Sequence, residues 1–482
     1  MLKRQSGVTG ISTIRLSSNL LSYACFALAV AAALFVRVFL PFECPVPWND
    51  EADFIGQAYA FAQTGSFFAA GLNPDRIVMW MPPGFMVALA GAYKLFGYSF
   101  DLSRWLSCLF YLGGLATLFA ILRRTLSGWK LALAALLLLI PAVSPYMLAS
   151  ANLARMESFY SLTALLSLYA ALRGKPVLGL AIVLASAVIH FNAEYFLLPY
   201  LALMAWMIVR RQELVVAPVE LLALALAGAI LAGYGLFVLH HLSGFIEDMT
   251  VQFSRKVAGP AFGGTAGQAW VAASWAGALL LLILWRRFAP AVFLACYGAA
   301  YITFAFAGQE IWYDFARPLG AYLIAVAAIL SFVELSGPIR RGAVAALGLL
   351  ATAGMADQAF RYEEPASAAV WPRLSTLSRD FLPREELGRV RSFIAGLPPG
   401  TTVSFAHTGV EAFFFDDLER AHVQWVYLQH SVTGIFPFRQ MDYVILCDSS
   451  LYPHFLFAFD MVLTQQSRQG RDTGCSIAKV PS

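Results

Sequence analysis

The sequence is divided into a series of long apolar stretches, separated by short polar or basic segments. A helix of about 20 mostly apolar residues is long enough to cross the hydrocarbon core of a bilayer. Since backbone groups in lipid must be hydrogen-bonded internally, such stretches predict membrane helices. They lie near residues 20–40, 104–122, 130–149, 157–172, 176–191, 194–209, 216–239, 267–285, 289–307, 316–335 and 342–358.

The composition supports a membrane location. Hydrophobic residues make up 59% of the chain and charged residues only 13%, whereas a soluble domain carries about 25% charged residues. The net charge of +4 is small, and the basic residues lie at the ends of apolar stretches. This distribution excludes a nucleic-acid partner.

The basic residues also predict the orientation, because cytoplasmic helix ends collect Lys and Arg. They alternate consistently only if segment 82–97 lies in the outer interface as an amphipathic helix. The prediction is then about eleven crossings, with the amino terminus inside and the carboxyl terminus outside. The residues used are Lys3, Arg4, Arg123, Arg124, Lys130, Arg173, Lys175, Arg210, Arg211, Arg286, Arg287, Arg340 and Arg341.

Two domains are predicted. Residues 1–358 form an α-helical polytopic membrane domain whose first outer loop is 41–103. Residues 359–482 are richer in charge and form a small α/β domain, with a helix at 385–397 and buried strands at 402–406 and 443–447. The sequence leaves the pairing of Cys44, Cys447 and Cys475 open.

The polar stretch from Trp48 to Pro83 contains the strongest chemical signal, Asn49-Asp50-Glu51. One interpretation is structural: Asn49 caps a helix, and acids in the first turn favour the helix dipole. The other interpretation is catalytic, since two carboxylates stand where a helix leaves the bilayer. Tyr59 belongs to the same stretch.

Other predicted outer segments contain ionisable residues as well. Basic groups on the outer face run against the positive-inside trend, and a lipid phosphate would explain them through charge-assisted hydrogen bonds; headgroup anchoring is the alternative. The candidates for phosphate binding are Arg317, Arg155, Arg255 and Lys256. The candidates for a substrate cavity are Glu157, His190, Asn192, Glu194, Tyr59 and Tyr313.

Several of these segments, taken in order, resemble the GT-C superfamily of polyprenyl-phosphate-sugar glycosyltransferases. The resemblance is to the branch of protein mannosyltransferases and lipid A aminoarabinose transferases, glycosyltransferase families 39 and 83. Glu157 stands where that branch usually has Asp, and Met81 stands where a basic residue or His is frequent. The segments are Asn49-Asp50-Glu51, Met81-Pro82-Pro83-Gly84-Phe85, Leu95-Phe96-Gly97-Tyr98-Ser99, Arg104, Arg155-Met156-Glu157 and Trp312–Pro318.

The resemblance implies an enzyme of the bacterial inner membrane with a periplasmic carboxyl-terminal domain. The donor would be a hexose or pentose on a polyprenyl phosphate, and the acceptor a lipid, glycan or protein. Asp50, with Glu51 beside it, would supply the general base of an inverting displacement. No ligand spacing requires a cofactor or metal, although Asp50, Glu157 and Glu194 suit a divalent ion.

Two other functions are open. A non-catalytic relative would bind the sugar lipid without transferring the sugar, but the chain retains Asp50. A transporter would place ionisable residues near the bilayer midplane, whereas the acids here cluster at the outer ends of the predicted helices.

Overall fold

The fold is described from a computed structural model. It covers residues 8–39, 49–209, 216–257, 272–277, 289–307, 316–360, 384–405, 409–427, 441–447, 460–463, 467–468, 471–472 and 475–480. Within these ranges, the side chains of some helix-end residues are not described. Tyr313 lies outside the described residues, as do the side chains of Asp50, Glu194, Arg255, Lys256 and Arg317.

Most of the membrane domain is helical. Its helices are α1 (Val8–Phe39), α2 (Asn49–Thr64), α3 (Gly84–Phe96), α4 (Phe100–Thr125), α5 (Trp129–Leu137), α6 (Leu139–Val143), α7 (Pro145–Asn152), α8 (Glu157–Leu172), α9 (Pro176–Ser186), α10 (Glu194–Val209), α11 (Pro218–His240), α12 (Leu242–Val257), α13 (Ala289–Ala307), α14 (Ala316–Glu334) and α15 (Pro338–Phe360).

Three helical segments in the described ranges are long and apolar enough to cross a membrane: Phe100–Thr125, Phe191–Ile208 and Pro218–His240. Helix α3 has 13 residues, which corresponds to about 20 Å, too short for a crossing of about 30 Å. Its length therefore agrees with an interfacial position. The count of eleven crossings stays a prediction.

The predicted span 130–149 is not one helix. The structure divides it among α5, α6 and α7, with breaks at Leu138 and Ser144. Pro141 and Pro145 lie in this segment, and proline inside a helix removes a hydrogen bond and clashes with the preceding turn. The breaks allow α5 and α6 both to pack against α1.

The junction between α3 and α4 turns the chain sharply. Gly97 has a φ of 80° and its N–H caps the carbonyl of Tyr93, ending α3. Ser99 then begins α4 by accepting a hydrogen bond from the N–H of Leu102, the expected role of an N-cap serine. Tyr98 is thereby held between two helix ends, facing the carboxyl-terminal domain.

Two late helices cross at very short distance. A Cβ built on Gly298 of α13 would lie 2.6 Å from the carbonyl oxygen of Gly320 in α14, and the reverse distance is the same. Only glycine allows this approach, which brings the backbones into direct contact.

The carboxyl-terminal domain is a small α/β unit, as predicted. A mixed sheet has the strand order β2-β1-β3-β7-β4, with β1 parallel to β2 and β3 and β7 antiparallel to β3 and β4. Helix α17 forms the crossover between β1 and β2, which a parallel pair requires. The elements are α16 (Arg384–Ala395), β1 (Thr402–Phe405), α17 (Phe415–Arg420), β2 (Gln424–Tyr427), β3 (Tyr443–Leu446), β4 (Asp460–Leu463), β5 (Ser467–Arg468), β6 (Arg471–Asp472) and β7 (Ser476–Lys479).

This domain packs directly on the segment from α2 to the start of α4 in the membrane domain. The Tyr59 hydroxyl donates to Oδ1 of Asp416 at 3.1 Å and to Glu419, and the Tyr98 hydroxyl donates to the carbonyl of Ala412. The rings of Phe100 and Phe413 are 4.1 Å apart. Polar and aromatic contacts thus join helices α2 and α4 to the sheet domain.

Candidate active site

Helix α2 places Asp50 and Glu51 in its first turn. Glu51 is fully buried. Its Oε1 accepts hydrogen bonds from Nε of Arg104 at 3.0 Å and from the N–H of Ala154 at 2.6 Å. Its Oε2 accepts from a terminal nitrogen of Arg104 at 2.7 Å. Glu51 therefore fixes the start of α2 to α4 and to the segment before α8.

Glu157, the second acidic position, follows closely on Ala154, which is bonded to Glu51. Nε of Arg155 donates to Oε1 of Glu157 at 3.0 Å, and a terminal nitrogen of Arg155 approaches the same oxygen to 2.9 Å. The other oxygen of Glu157, Oε2, is buried and has no hydrogen-bond partner in the described part of the chain. This carboxylate can still accept a hydrogen bond from a substrate hydroxyl.

Backbone and ring contacts join the two acidic positions. The guanidinium of Arg155 lies 6.0 Å from the centre of the Phe54 ring on α2. The hydroxyl of Ser107 on α4 donates to the carbonyl of Arg155 at 3.2 Å. The beginning of α2 and the segment before α8 therefore lie close together.

The site extends to the join between α9 and α10. The Tyr160 ring stacks on His190 at a centroid distance of 5.3 Å, and the Tyr160 hydroxyl donates to the carbonyl of Asn192. Nδ1 of His190 accepts the N–H of Asn192 at 3.1 Å. Glu194 begins α10 directly after this turn.

The remaining candidates fall on other elements. Arg255 and Lys256 lie in the last turn of α12, and Arg317 lies in the first turn of α14. Tyr59 contacts the sheet domain through Asp416 and Glu419. In the described ranges, no group of three or more His, Cys, Asp or Glu is placed to hold a metal ion.

Sequence reasoning missed two ion pairs of this region. Arg104 was noted only as part of a family pattern, although a buried arginine in an apolar helix calls for an acidic partner. Asp248 of α12 is also buried, and it accepts hydrogen bonds from Arg76 at 2.9 and 2.6 Å and from the N–H of Met79 at 2.5 Å. This second pair fixes α12 to the loop between α2 and α3.

The architecture is a helical membrane domain with several broken helices and a small α/β domain. Two crystal structures of ArnT from Cupriavidus metallidurans share it. One, bound to undecaprenyl phosphate, has a TM-score of 0.57 and 14% identity, covering 94% of this chain and 97% of that chain. The other, in the apo state, has a TM-score of 0.56 and 15% identity over the same shares.

A third similar structure is the oligosaccharyltransferase AglB from Archaeoglobus fulgidus, in complex with an inhibitory peptide and a dolichol-phosphate. Its TM-score is 0.51 at 12% identity, and the match covers 96% of this chain and 74% of AglB. No family model and no curated protein sequence matches the chain. The predicted resemblance to GT-C proteins is thus confirmed at the level of the fold.

Proposed function

We propose that this chain is an integral-membrane glycosyltransferase. It moves a sugar from a polyprenyl-phosphate donor to an acceptor on the outer face of the membrane, with inversion at the anomeric carbon. Its structural neighbours ArnT and AglB have structures with bound undecaprenyl phosphate and dolichol-phosphate respectively. Both ligands are polyprenyl-type lipid phosphates, and we infer that the sugar donor of this chain carries the same kind of group.

The observation that carries the proposal is the anchored first turn of α2. Three hydrogen bonds to the buried Glu51 carboxylate hold that turn against α4 and Ala154. Asp50 is the residue before Glu51, and neighbouring positions of an α-helix are set about 100° apart around its axis, so we assign Asp50 a task separate from the anchoring contact of Glu51. A base held on a rigid helix start is pre-organised for proton transfer.

The chemistry follows from this arrangement. The acceptor oxygen or nitrogen attacks the anomeric carbon as the bond from that carbon to the phosphate oxygen breaks. Asp50 takes the proton released by the acceptor, and the electron pair of the broken bond leaves on the lipid phosphate. Arg317, Arg255 and Lys256 neutralise that phosphate.

Arg155 is a weaker candidate for the phosphate. Its guanidinium is already engaged by the buried Glu157 carboxylate, and moving it would leave that charge unpaired, at a cost of about 3–5 kcal/mol. We assign Arg155 to orienting Glu157, whose second oxygen accepts a substrate hydroxyl.

The outer location of the carboxyl-terminal domain is supported by a disulfide. Cys447 at the end of β3 is bonded to Cys475 at the start of β7. Structural disulfides belong to oxidising compartments such as the periplasm. We therefore place this domain in the periplasm of a bacterial inner-membrane protein.

Asp50→Asn tests the role of the base. Asparagine keeps the size of the side chain but cannot accept a proton, so turnover should fall about 100-fold or more while binding of undecaprenyl phosphate is unchanged. Turnover is followed as transfer of radiolabelled sugar from undecaprenyl-phosphate sugars to acceptors in host membranes. The control is Asp75→Asn, an exposed carboxylate of the same outer loop. Wild-type turnover by Asp50→Asn would refute the assignment.

A non-catalytic sugar-lipid binder is the second candidate function. It predicts binding of undecaprenyl phosphate without sugar transfer by the wild-type protein. The Asp50→Asn experiment distinguishes the two functions, because only an enzyme has a rate of sugar transfer that the substitution can lower.

A further inference from the structure

A cleft of about 670 Å³ lies between the membrane domain and the sheet domain, and neither Glu51 nor Glu157 is part of its lining. One wall is the start of α4 with the residues before it. The other wall comes from α16 and α17. Its lining includes Tyr98, Phe100, Asp101, Arg391, Phe413 and Asp416. The volume lies within the range of about 300–1,000 Å³ typical of small-molecule sites.

Charged groups of this cleft are largely paired with one another. Asp417 receives a hydrogen bond from Nε of Arg391 at 3.1 Å and another from Arg420 at 2.8 Å. Asp416 accepts the hydroxyl of Tyr59. The lining holds three carboxylates and two guanidiniums. Because the lining has no excess of positive charge, it does not favour a phosphate ligand.

The same pairing disfavours a strongly cationic ligand, which would have to displace two arginines from Asp417. A neutral ligand rich in hydroxyl groups suits the cleft better. Each hydroxyl both donates and accepts a hydrogen bond, and the lining sets carboxylate acceptors beside guanidinium donors. The rings of Tyr98, Phe100 and Phe413 supply the apolar surface that pockets use to hold such ligands.

The position of the cleft connects it with the candidate active site. Helix α2 runs from Asp50 to Tyr59, and Tyr59 bonds to Asp416 at the cleft. Tyr59 lies nine positions after Asp50, which corresponds to about 14 Å along the helix axis. That distance suits an extended acceptor whose end reaches Asp50 while its following units occupy the cleft.

We infer that this cleft binds a neutral glycan segment of the acceptor. The inference rests on the proposed transferase function, and it names the acceptor as a carbohydrate chain. Arg391 and Arg420 donate to ring and hydroxyl oxygens, and Asp101 and Asp416 accept from hydroxyl groups. The reacting hydroxyl lies outside the cleft, at the start of α2.

The test measures binding and needs no turnover. Purified full-length protein in detergent is titrated with maltotriose, cellotriose, mannotriose and chitotriose, followed by saturation-transfer NMR. The double variant Arg391→Gln/Arg420→Gln should weaken binding at least 10-fold, and Asp101→Asn should weaken it also. The control is Lys479→Gln, which changes an exposed cation of the same domain. Thermal melting confirms that each variant is folded.

The outcomes are distinct. Binding of at least one trisaccharide that only the cleft variants weaken supports the inference, even if Asp50→Asn shows no effect on transfer. No binding of any trisaccharide, or equal binding by the wild type and the double variant, overturns it. Binding of pentalysine in place of the sugars, weakened by Asp416→Asn, overturns it in favour of a polypeptide acceptor.

Discussion

Arg104 and Glu51 form an ion pair in which both side chains are fully buried. The two residues are 53 positions apart and join two helices. Such a pair contributes little net stability compared with apolar side chains, but removing one partner leaves a buried charge unpaired. This pair therefore sets the position of the α2 start and makes it sensitive to single substitutions.

Glu51→Gln should destabilise the protein by about 3–5 kcal/mol, because Arg104 keeps its charge without a compensating carboxylate. Thermal melting in detergent measures the change. Glu247→Gln is the matched control: it also breaks an arginine pair, with Arg76 at 3.2 Å, but its side chain is 67% exposed. An exposed pair contributes about 1 kcal/mol or less. Equal melting temperatures of the two variants would contradict the prediction.

The same variant distinguishes the roles of the two acids. If Glu51 only anchors the helix, the double variant Glu51→Gln/Arg104→Met should recover much of the lost stability and of the lost turnover, since no unpaired charge remains. If Glu51 reacts with substrate, the double variant stays inactive although it is stable. Comparing melting with sugar transfer in both variants decides between these roles.

Cys447 and Cys475 should be oxidised in protein isolated from cells, since the bond closes a segment with a sequence separation of 28. In the chain-entropy account, a cross-link of this size stabilises by about 3–4 kcal/mol. Alkylation with a maleimide polymer before and after reduction reports the state of the thiols. Free thiols at both positions in freshly extracted protein would argue against a periplasmic domain.

Removal of the Cys447–Cys475 disulfide should affect only the structure near it. Cys447→Ser/Cys475→Ser should speed hydrogen exchange in β3 and β7, which the disulfide joins at adjacent ends, and leave the membrane helices unchanged. Cys108→Ser, at a buried cysteine of α4 outside the disulfide, is the control for handling and for thiol removal. Equal hydrogen-exchange rates of β3 and β7 in the wild type and the double variant would show that the disulfide does not stabilise these strands.

Gly71 and Trp425 provide a test of how the two domains are joined. A Cβ on Gly71 would lie 2.4 Å from Cδ2 of the Trp425 indole, so Gly71→Ala must displace that ring. The expected result is a lower melting temperature and faster hydrogen exchange in β2. Adding Trp425→Leu should restore part of the loss by making room for the methyl group.

Gly91→Ala is the matched control for that substitution. Gly91 lies on the exposed side of α3, with no atom within 4 Å of a built Cβ. Alanine is favoured over glycine in a helix by about 1 kcal/mol, so this variant should be as stable as the wild type or more so. A Gly71→Ala protein that behaves like Gly91→Ala would show that Trp425 does not pack on the loop.

Sequence periodicity and charge predicted much of this fold because they are local properties. The bounds of α8 and α10 agree with the predicted apolar stretches, and the sheet domain contains the predicted helix and strands. The pairing of Arg104 with Glu51 was beyond local reasoning, since nothing in either segment identifies the other. The complete burial of Glu411 was likewise beyond local reasoning, because it depends on the elements packed around that residue.

The candidate site stays a prediction. The structure shows that Glu51 and Glu157 make buried contacts with the neighbouring residues Ala154 and Arg155. The family resemblance named Asp50 as the base, but the sequence offered no reason for the burial of Glu51. That burial depends on the contact with Arg104, 53 positions away.

Glu411 predicts a specific pH dependence of stability. It lies in the short 3-10 helix Val410–Phe413 that packs against α2, and neither carboxylate oxygen has a hydrogen-bond partner on another described residue. Burial disfavours the ionised form and raises the pKa of the Glu411 carboxyl to about 8. In the unfolded chain the pKa of a glutamate is about 4.3.

Between these two pKa values the folded protein holds a proton that the unfolded chain has released. Folding is then favoured at the acidic end of the interval, and the free energy of unfolding falls as pH rises, by about 1.4 kcal/mol per pH unit. The loss is complete above about pH 8, where both states are ionised. Glu411→Gln removes the titrating group, so its stability relative to the wild type should increase from pH 5 to pH 8.

Melting temperatures of wild type, Glu411→Gln and Glu385→Gln, measured in detergent at intervals from pH 5 to pH 9, check this prediction. Glu385 is an exposed acid of the same domain, so its substitution should leave the pH profile parallel to that of the wild type. The profiles of wild type and Glu411→Gln should diverge steadily up to about pH 8 and run parallel above it. Parallel profiles over the whole range would mean that the Glu411 carboxyl keeps an ordinary pKa, and that water or another group reaches it at the contact with α2.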